Sequence, residues 1–519
     1  MRKQGAGQYD AASNRTRFTD PEGGQTDYVY DVLNRLTSLT NFQAQTFTFG
    51  YDALGRRTQL TRPNGVNTDY SYDNLSRLLS VLHKLGANVI DGATYTVDPA
   101  GNRTSKLNHL NGVTESYTYD AIYQLTQVVQ NGTTTSEAYT YDKVGNRLST
   151  LTDSNWIYNN SNQLTSRPGV TYTYDNNGNT LTKTDASGTT QYAWDYENRL
   201  TSVTLPGVGV VSFKYDPFGR RIQKVSASDT TAYVHDSADI AEELDATATA
   251  IRRYTTGLGI DEPLAMLRSG ATSYYLTDGL GSVTSLIDPN GSASAVYTYQ
   301  SFGELTSPEG SLANPFRYTG REFDVDTNLH YYRARYYNSL IARFLTEDPI
   351  GFNGGINFYA YVLNAPTMFT DPDGLRTQVC CRLLRGSVGK LTGKNHCYIR
   401  VTNSRGSHTY GLHREHADDS PLPNGARPLV DDPTDVGGTC SDVRDATPCK
   451  ERMLIQQALS DLQCPSCGAN YWAASTNSNF WVANALRNAN MTPPVFPGSA
   501  NAPGYSFVPP SGPTGGGHR

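Results

Sequence analysis

The sequence predicts a mainly β protein: a serial array of β-hairpins followed by a small α+β domain. Three observations carry this. A motif, Y-x-Y-D-x-x-G/N-R-L-T, recurs through the first half of the chain. Tyrosine is abundant, 35 residues against 16 Phe and 4 Trp. Composition then changes abruptly near residue 375. All seven cysteines lie beyond position 379, while 31 of the 35 tyrosines lie at or before 375.

The repeat reads YVYDVLNRLTSL from Tyr28, FGYDALGRRTQL from Phe49 and YSYDNLSRLLSV from Tyr70. Further copies start at Tyr95, Tyr117, Tyr139, Tyr172, Tyr192 and Phe213, with a degenerate one at Tyr158. The step is about 21 residues, a period that marks a repeat architecture. In each copy the alternation Y-x-Y places two rings on one face of a strand. The D-x-x-G/N-R stretch is turn chemistry, because Asp bonds its own downstream backbone and Gly or Asn adopts positive φ. R-L-T-S-L alternates again as the return strand. A single hairpin is marginal alone, so consecutive hairpins are expected to pair into a long continuous sheet.

Composition also excludes some classes. The 519 residues are enough for about three to four domains. No run of 18 apolar residues exists, so no membrane-spanning helix is predicted. The start, MRKQGAGQYDAASN, lacks the apolar segment of an ordinary secretory signal. A net charge of −6 argues against a global nucleic-acid footprint. The halves differ: residues 376–519 hold 14 Lys+Arg and 10 Asp+Glu, a net +4, against −10 for the rest.

These YD repeats resemble those of Rhs proteins. Ser273–Glu304 and Pro315–Leu375 resemble the Rhs-associated core domain along most of its length. The resemblance covers roughly residues 25–375. It implies a hollow β-shell that holds a C-terminal toxin. Ten hairpins are far fewer than family members usually carry, so the chain reads as a segment of such a shell. The expected divisions are a repeat region at 1–232, a core domain at 233–375, a toxin domain at 376–492 and a Pro/Gly-rich irregular tail at 493–519. The resemblance also implies a cognate immunity protein, a secretion-system spike or adaptor protein, and export without an ordinary signal peptide for delivery to target cells.

Two D-P-x-G motifs bracket the end of the core, at Asp348–Gly351 and Asp371–Gly374. Asp-Pro and Pro-x-Gly are common turn formers, so both motifs also suit ordinary turns. In the Rhs family such a pair resembles an aspartyl-protease-like site that cuts after the leucine of DPxGL, here Leu375. Two nearby carboxylates resist joint ionisation, so one keeps a proton as acid while the other activates water. Arg343 is expected to orient or charge-balance one of them.

Three constellations compete beyond the junction. HCYIRV and HTYGL read as paired strands, and Ser478–Ala489 as an amphipathic helix capped by Thr476 or Asn477. Lys450–Leu462 has helical spacing as well. A strand histidine followed by a small nucleophile at a helix start resembles the permuted papain-like superfamily. That resemblance makes His396 the base and Ser478 the nucleophile, with His408 or His413 orienting the base. Position 478 holds Ser where these enzymes usually hold Cys. The product would be an amide or ester hydrolase or an acyltransferase. The second constellation is His413-Arg414-Glu415 with Cys464-Pro465-Ser466-Cys467, similar to the zinc nucleobase deaminase signature except that Gln463 replaces its proline. The third treats the cysteines as scaffold, with Cys464 and Cys467 forming half of a zinc site that Cys440 and Cys449 complete, or with disulfides after export. No other cofactor is expected. A basic run of Arg382, Arg385, Lys390 and Lys394 leaves room for a nuclease, though without a paired-carboxylate metal motif. A non-enzymatic surface or interaction protein with a disulfide-stapled tail is the rival from another class.

Overall fold

Each repeat closes on itself through its aspartate. At Asp31 the main-chain N–H bonds the Arg35 carbonyl, and the Asn34 N–H returns to the Asp31 carbonyl. The Asp31 carboxylate accepts from the N–H groups of Leu33 and Arg35, and its second oxygen accepts from Arg35 Nε. The residue three after the aspartate sits at positive φ: Asn34, Gly55, Ser76, Gly145 and Gly219 are examples. The strand register slips by one at the same place, between Val29 and Tyr30 in the first full repeat. This is a hairpin loop closed by a bulge.

The computed structural model describes residues 5–306, 310, 312–351 and 356–374, together with five strands between 377 and 441. Contacts divide the chain into two units, Met1–Leu375 and Arg376–Arg519. In the first unit every named strand pairs antiparallel with its chain neighbour. One sheet of thirteen strands runs from Ala6–Tyr9 to Thr134–Ala138, and one of fifteen runs from Ile157–Tyr158 to Ala293–Val296. A two-stranded ribbon, Thr140–Tyr141 with Arg147–Ser149, lies between them. The expected continuous sheet is therefore interrupted on both sides of the Tyr139 repeat, whose strands shrink to two and three residues, just before the degenerate copy, whose first strand has two. The expected division at residue 232 lies inside the strand Thr230–Asp236, where the fifteen-stranded sheet runs on.

Repeats are joined sideways by their own motif. The second tyrosine of Y-x-Y donates its hydroxyl to a carbonyl of the preceding repeat: Tyr30 to Arg15, Tyr51 to Leu36, Tyr72 to Arg57 and Tyr215 to Leu200, at 2.7–3.0 Å. The turn arginine reaches forward, Arg35 to the Asp52 carbonyl and Arg56 to the Asp73 carbonyl. The first ring of the motif is core: Tyr28 and Phe49 are buried, while Val29 between the two tyrosines is exposed. These rings pack with Ala241, Leu264, Tyr274 and Ile287 from later strands, so early and late hairpins share a core. Arg253 pairs with Asp20 and Arg57 with Glu262 across the same contact.

The segment after residue 315 forms a four-stranded sheet, Glu322–Asp324, Leu329–Tyr332, Arg335–Asn338 and Arg343–Phe344. Its rings Tyr332, Tyr337, Phe344 and Tyr361 nest against Leu125, Val128 and Tyr139 of the hairpin array. Tyr337 and Tyr361 centroids lie 4.5 Å apart. Buried hydroxyls are satisfied, Tyr337 by the Phe302 carbonyl and Tyr332 by Thr319. This aromatic seat fixes the position of the residues leading to the junction.

In the second unit the five strands form one antiparallel sheet, in the order Arg427–Val430, Gly406–His413, Asn395–Asn403, Thr377–Leu383, Thr439–Ser441. The two strands expected at HCYIRV and HTYGL are both present and paired, Val401 opposite His408. The helices expected at Lys450–Leu462 and Ser478–Ala489, and the tail at 493–519, lie outside the described residues.

Candidate active site

The two D-P-x-G motifs meet on one arginine. Arg335 is the first residue of the strand Arg335–Asn338, within a tyrosine-rich run that buries its side chain. Its Nη2 lies 3.2 Å from an Asp348 carboxylate oxygen and 3.2 Å from an Asp371 carboxylate oxygen. The same nitrogen donates to the Gly374 carbonyl at 3.0 Å, and Nη1 donates to the Phe358 carbonyl at 3.2 Å. The guanidinium lies over the Phe344 ring, 3.6 Å from its centroid.

Each motif folds as a turn. The Asp348 carboxylate accepts from the Ile350 N–H, and the Gly351 N–H returns to the Asp348 carbonyl. Gly374 has φ +71°, and a β-carbon there would lie 2.7 Å from Arg335 Nη2. Glycine is thus required by both its backbone angle and the arginine against it. Arg333 completes the clamp, donating to the Pro372 carbonyl at 3.0 Å and pairing with Asp373.

Burial pushes the Asp371 carboxyl up to about 6; Arg335 opposes the shift and neighbouring Asp348 adds to it. Asp371 is therefore largely protonated in mildly acidic conditions. A protonated carboxyl beside a second carboxylate is the pair that aspartyl-type hydrolysis uses, and here a fixed cation touches both.

The arginine in this site is Arg335, not the expected Arg343. Arg343 is buried elsewhere, donating to Asn146 Oδ1 at 3.0 Å and to the Asn162 carbonyl, between the rings of Tyr158 and Tyr359. It holds the seat to the hairpin array. Sequence proximity to Asp348 favoured Arg343, but strand pairing brings Arg335 back. The available signal was an arginine inside an otherwise aromatic strand, R-Y-Y-N, where a buried charge demands partners.

The remaining expected residues belong to the second unit. His396 lies in the strand Asn395–Asn403, and His408 and His413 lie in its partner Gly406–His413. Cys440 stands opposite Cys380, and Cys381 opposite Cys397. Leu375, Ser478, Glu415, Cys449, Cys464 and Cys467 lie outside the described residues. Among the described residues no cluster of three His, Cys, Asp or Glu side chains could hold a metal, and no helix is long and apolar enough to cross a membrane.

A hairpin array with aspartate-clamped turns, ending on paired D-P-x-G motifs, defines a class of repeat shell. The Teneurin YD-shell family matches residues 102–365, just over half of the chain, and the RHS Repeat family matches 9–46 and 51–87. The chain belongs to the Rhs/YD-repeat family of YD-shell proteins. The tRNA3(Ser)-specific nuclease WapA of Bacillus spizizenii is 33% identical over 254 residues, 46% of this chain and 11% of that protein. Toxin protein Tse5 of Pseudomonas aeruginosa is 36% identical over 103 residues, 20% of this chain and 8% of that protein. The chain thus spans only a small part of these relatives. Among solved structures, TcdB2-TccC3 matches with a TM-score of 0.61 at 23% identity, over 72% of this chain and 22% of that one. The Photorhabdus luminescens Tc holotoxin pore gives the same score and identity, over 72% and 21%. These two show the fold alone.

Proposed function

We propose that this protein is a self-processing toxin carrier for interbacterial competition, which cuts its own chain after Leu375 and frees residues 376–519 as the effector. The observation that carries the reading is the shared arginine. Arg335 touches both aspartates and the Gly374 carbonyl, so the residue preceding Leu375 is held against the acid pair. In the proposed step the Asp348 carboxylate takes a proton from water. The water oxygen bonds to the Leu375 carbonyl carbon. Asp371 passes its proton to the Arg376 nitrogen as the C–N bond breaks, leaving a carboxyl at Leu375 and an amine at Arg376.

The toxin reading draws on relatives named as a tRNA nuclease and a toxin protein. For the effector's chemistry we keep the papain-like reading, with His396 as base and Ser478 as nucleophile. In that reading His408 or His413 orients the base. An immunity protein, and a spike or adaptor that delivers the chain, follow from the same reading. The nuclease named among the relatives supports the rival chemistry.

The first test is the intact mass of the purified chain. The parent should yield two fragments with the new terminus at Arg376, and Asp371→Asn one species near 56.8 kDa. Two fragments from both proteins would refute Asp371 as catalytic. Growth after induction of residues 376–519, in parallel with Ser478→Ala, then tests the effector. Toxicity lost with the serine supports the papain-like reading, and undiminished toxicity refutes it.

A further inference from the structure

The interruption between the two long sheets opens a cavity of about 400 Å³. Its lining includes Tyr139, Arg147, Trp156, Arg167, Phe302 and Glu304. We infer that this cavity binds a small ligand through an oxyanion, a carboxylate or phosphate group whose oxygens accept from Arg147, Trp156 and Arg167.

The imbalance of donors and acceptors carries the argument. Arg147 is 5% exposed and Trp156 is 4% exposed. Arg147 Nε and Nη2, Trp156 Nε1 and Arg167 Nε are buried without a hydrogen-bond partner. Buried polar groups are nearly always satisfied, and a guanidinium left unpaired is costly. Four such donors around one cavity imply acceptors supplied from outside.

The surroundings favour an oxyanion. The Arg147 guanidinium lies beside two rings set edge to face, 4.2 Å from the centroids of both Tyr139 and Phe302. Its unbonded Nε and Nη2 form one edge of the guanidinium, the fork that receives two oxygens of one carboxylate or phosphate. Tyr141 also bonds this guanidinium. The acids nearby are mostly engaged. Glu137 accepts from Tyr139 at 2.6 Å and from the Ser301 N–H at 3.0 Å, and Asp153 accepts from Arg167 Nη1 at 3.0 Å. Glu304 attracts both arginines, yet those four nitrogens remain unbonded, and burial shifts its carboxyl up toward the neutral form. The cavity is therefore cationic on its donor wall and large enough for more than one bare ion.

This site is separate from the aspartate pair, so its failure leaves the processing proposal standing. The test titrates the full chain with inorganic phosphate and, separately, with citrate, against sodium chloride at matched ionic strength. Calorimetry reads binding and tryptophan fluorescence reads the site. One of the two anions should bind saturably with one site per chain; phosphate alone or citrate alone identifies the source. Trp156→Phe keeps the ring and removes one donor to a charged acceptor, and should weaken binding about tenfold. Arg167→Gln, nearer the rim, should weaken it as well and serves if the first variant folds poorly. No saturable response to either anion overturns the inference. So does binding that both folded variants retain at parent strength.

Discussion

Asp216 offers a direct measure of what the repeated turn contributes. Its carboxylate is buried and accepts from the N–H groups of Phe218 and Arg220 at 2.9 and 3.0 Å. The second oxygen takes Arg220 Nε at 2.8 Å. Asp216→Ala removes both backbone acceptors and the ion pair. Two such bonds at about 1 kcal/mol each, with a half-exposed ion pair adding at most about 0.5, give a local loss of roughly 2–3 kcal/mol. Asp216→Asn keeps the acceptor for the two N–H groups and loses only the pair with Arg220, so at most about 0.5 kcal/mol. The chain already contains the compensated version: Asn41 and Asn159 occupy the same turn position and donate to the side-chain oxygens of Gln45 and Gln163. Asp216→Asn with Arg220→Gln should therefore recover most of the loss. Hydrogen exchange of the flanking strands Gly209–Tyr215 and Arg221–Val225 is the assay. The alanine variant should exchange roughly 30- to 150-fold faster there, with a distant hairpin unchanged. Equal exchange in the alanine and asparagine variants would refute the view that backbone acceptance, not charge, is the function of this residue.

Burial alone would raise the Asp216 carboxyl, but hydrogen bonds from Arg220 and Phe218 carry it below its usual value, as their equivalents do at Asp195 and Asp73. These turns should thus lend full stability above the unfolded value near about 4 and lose it as pH falls further, read as a decline of thermal midpoint in acid. Asp371 has the opposite sign. Its contribution is present below the unfolded value and lost as pH rises through about 6. If it is the proton donor, processing followed by gel densitometry should slow about tenfold per pH unit beyond that point, and a flat profile from pH 5 to 8 would exclude the role. Gly374→Ala should slow processing sharply while leaving the hairpin array folded, because the new methyl meets Arg335; parent-like rates would show that this approach is unimportant. Tyr215→Phe, which loses the hydroxyl bond to the Leu200 carbonyl, should cost about 1 kcal/mol by urea unfolding.

The array was legible because each repeat spells its own turn. Asp, then Gly or Asn at the positive-φ position, then Arg is a complete local instruction. Turns with other spellings do not announce themselves, among them Asn41–Gln45, Arg62–Val66 and Gln300–Glu304, which close by the same backbone bonds. Backbone closure needs only a residue able to take positive φ at the fourth position, and even Ala44 does so. The aspartate pair was legible from its motifs, but its arginine was not. Arg335 and Arg343 sit in neighbouring strands, and only register distinguishes the one that faces the pair. The interruption near residue 150 showed only as a weak repeat, and the cavity it creates depends on Gln300 to Leu340, far away in the chain.

The sideways bonds carry a consequence for how such genes can change. The tyrosine bond of one repeat reaches 15 residues back and the arginine bond 17 forward, both within one neighbouring unit. Duplicating or losing a whole 21-residue unit leaves every such bond with an equivalent partner. A gain or loss of a single residue within a strand turns its apolar face outward. Recombination in register is therefore tolerated locally and frameshifted length is not. Yet Arg15 pairs with Asp236, Arg253 with Asp20 and Arg57 with Glu262. These distant partners count the units between them, so the interior of this array cannot drift in length even though its chemistry is modular.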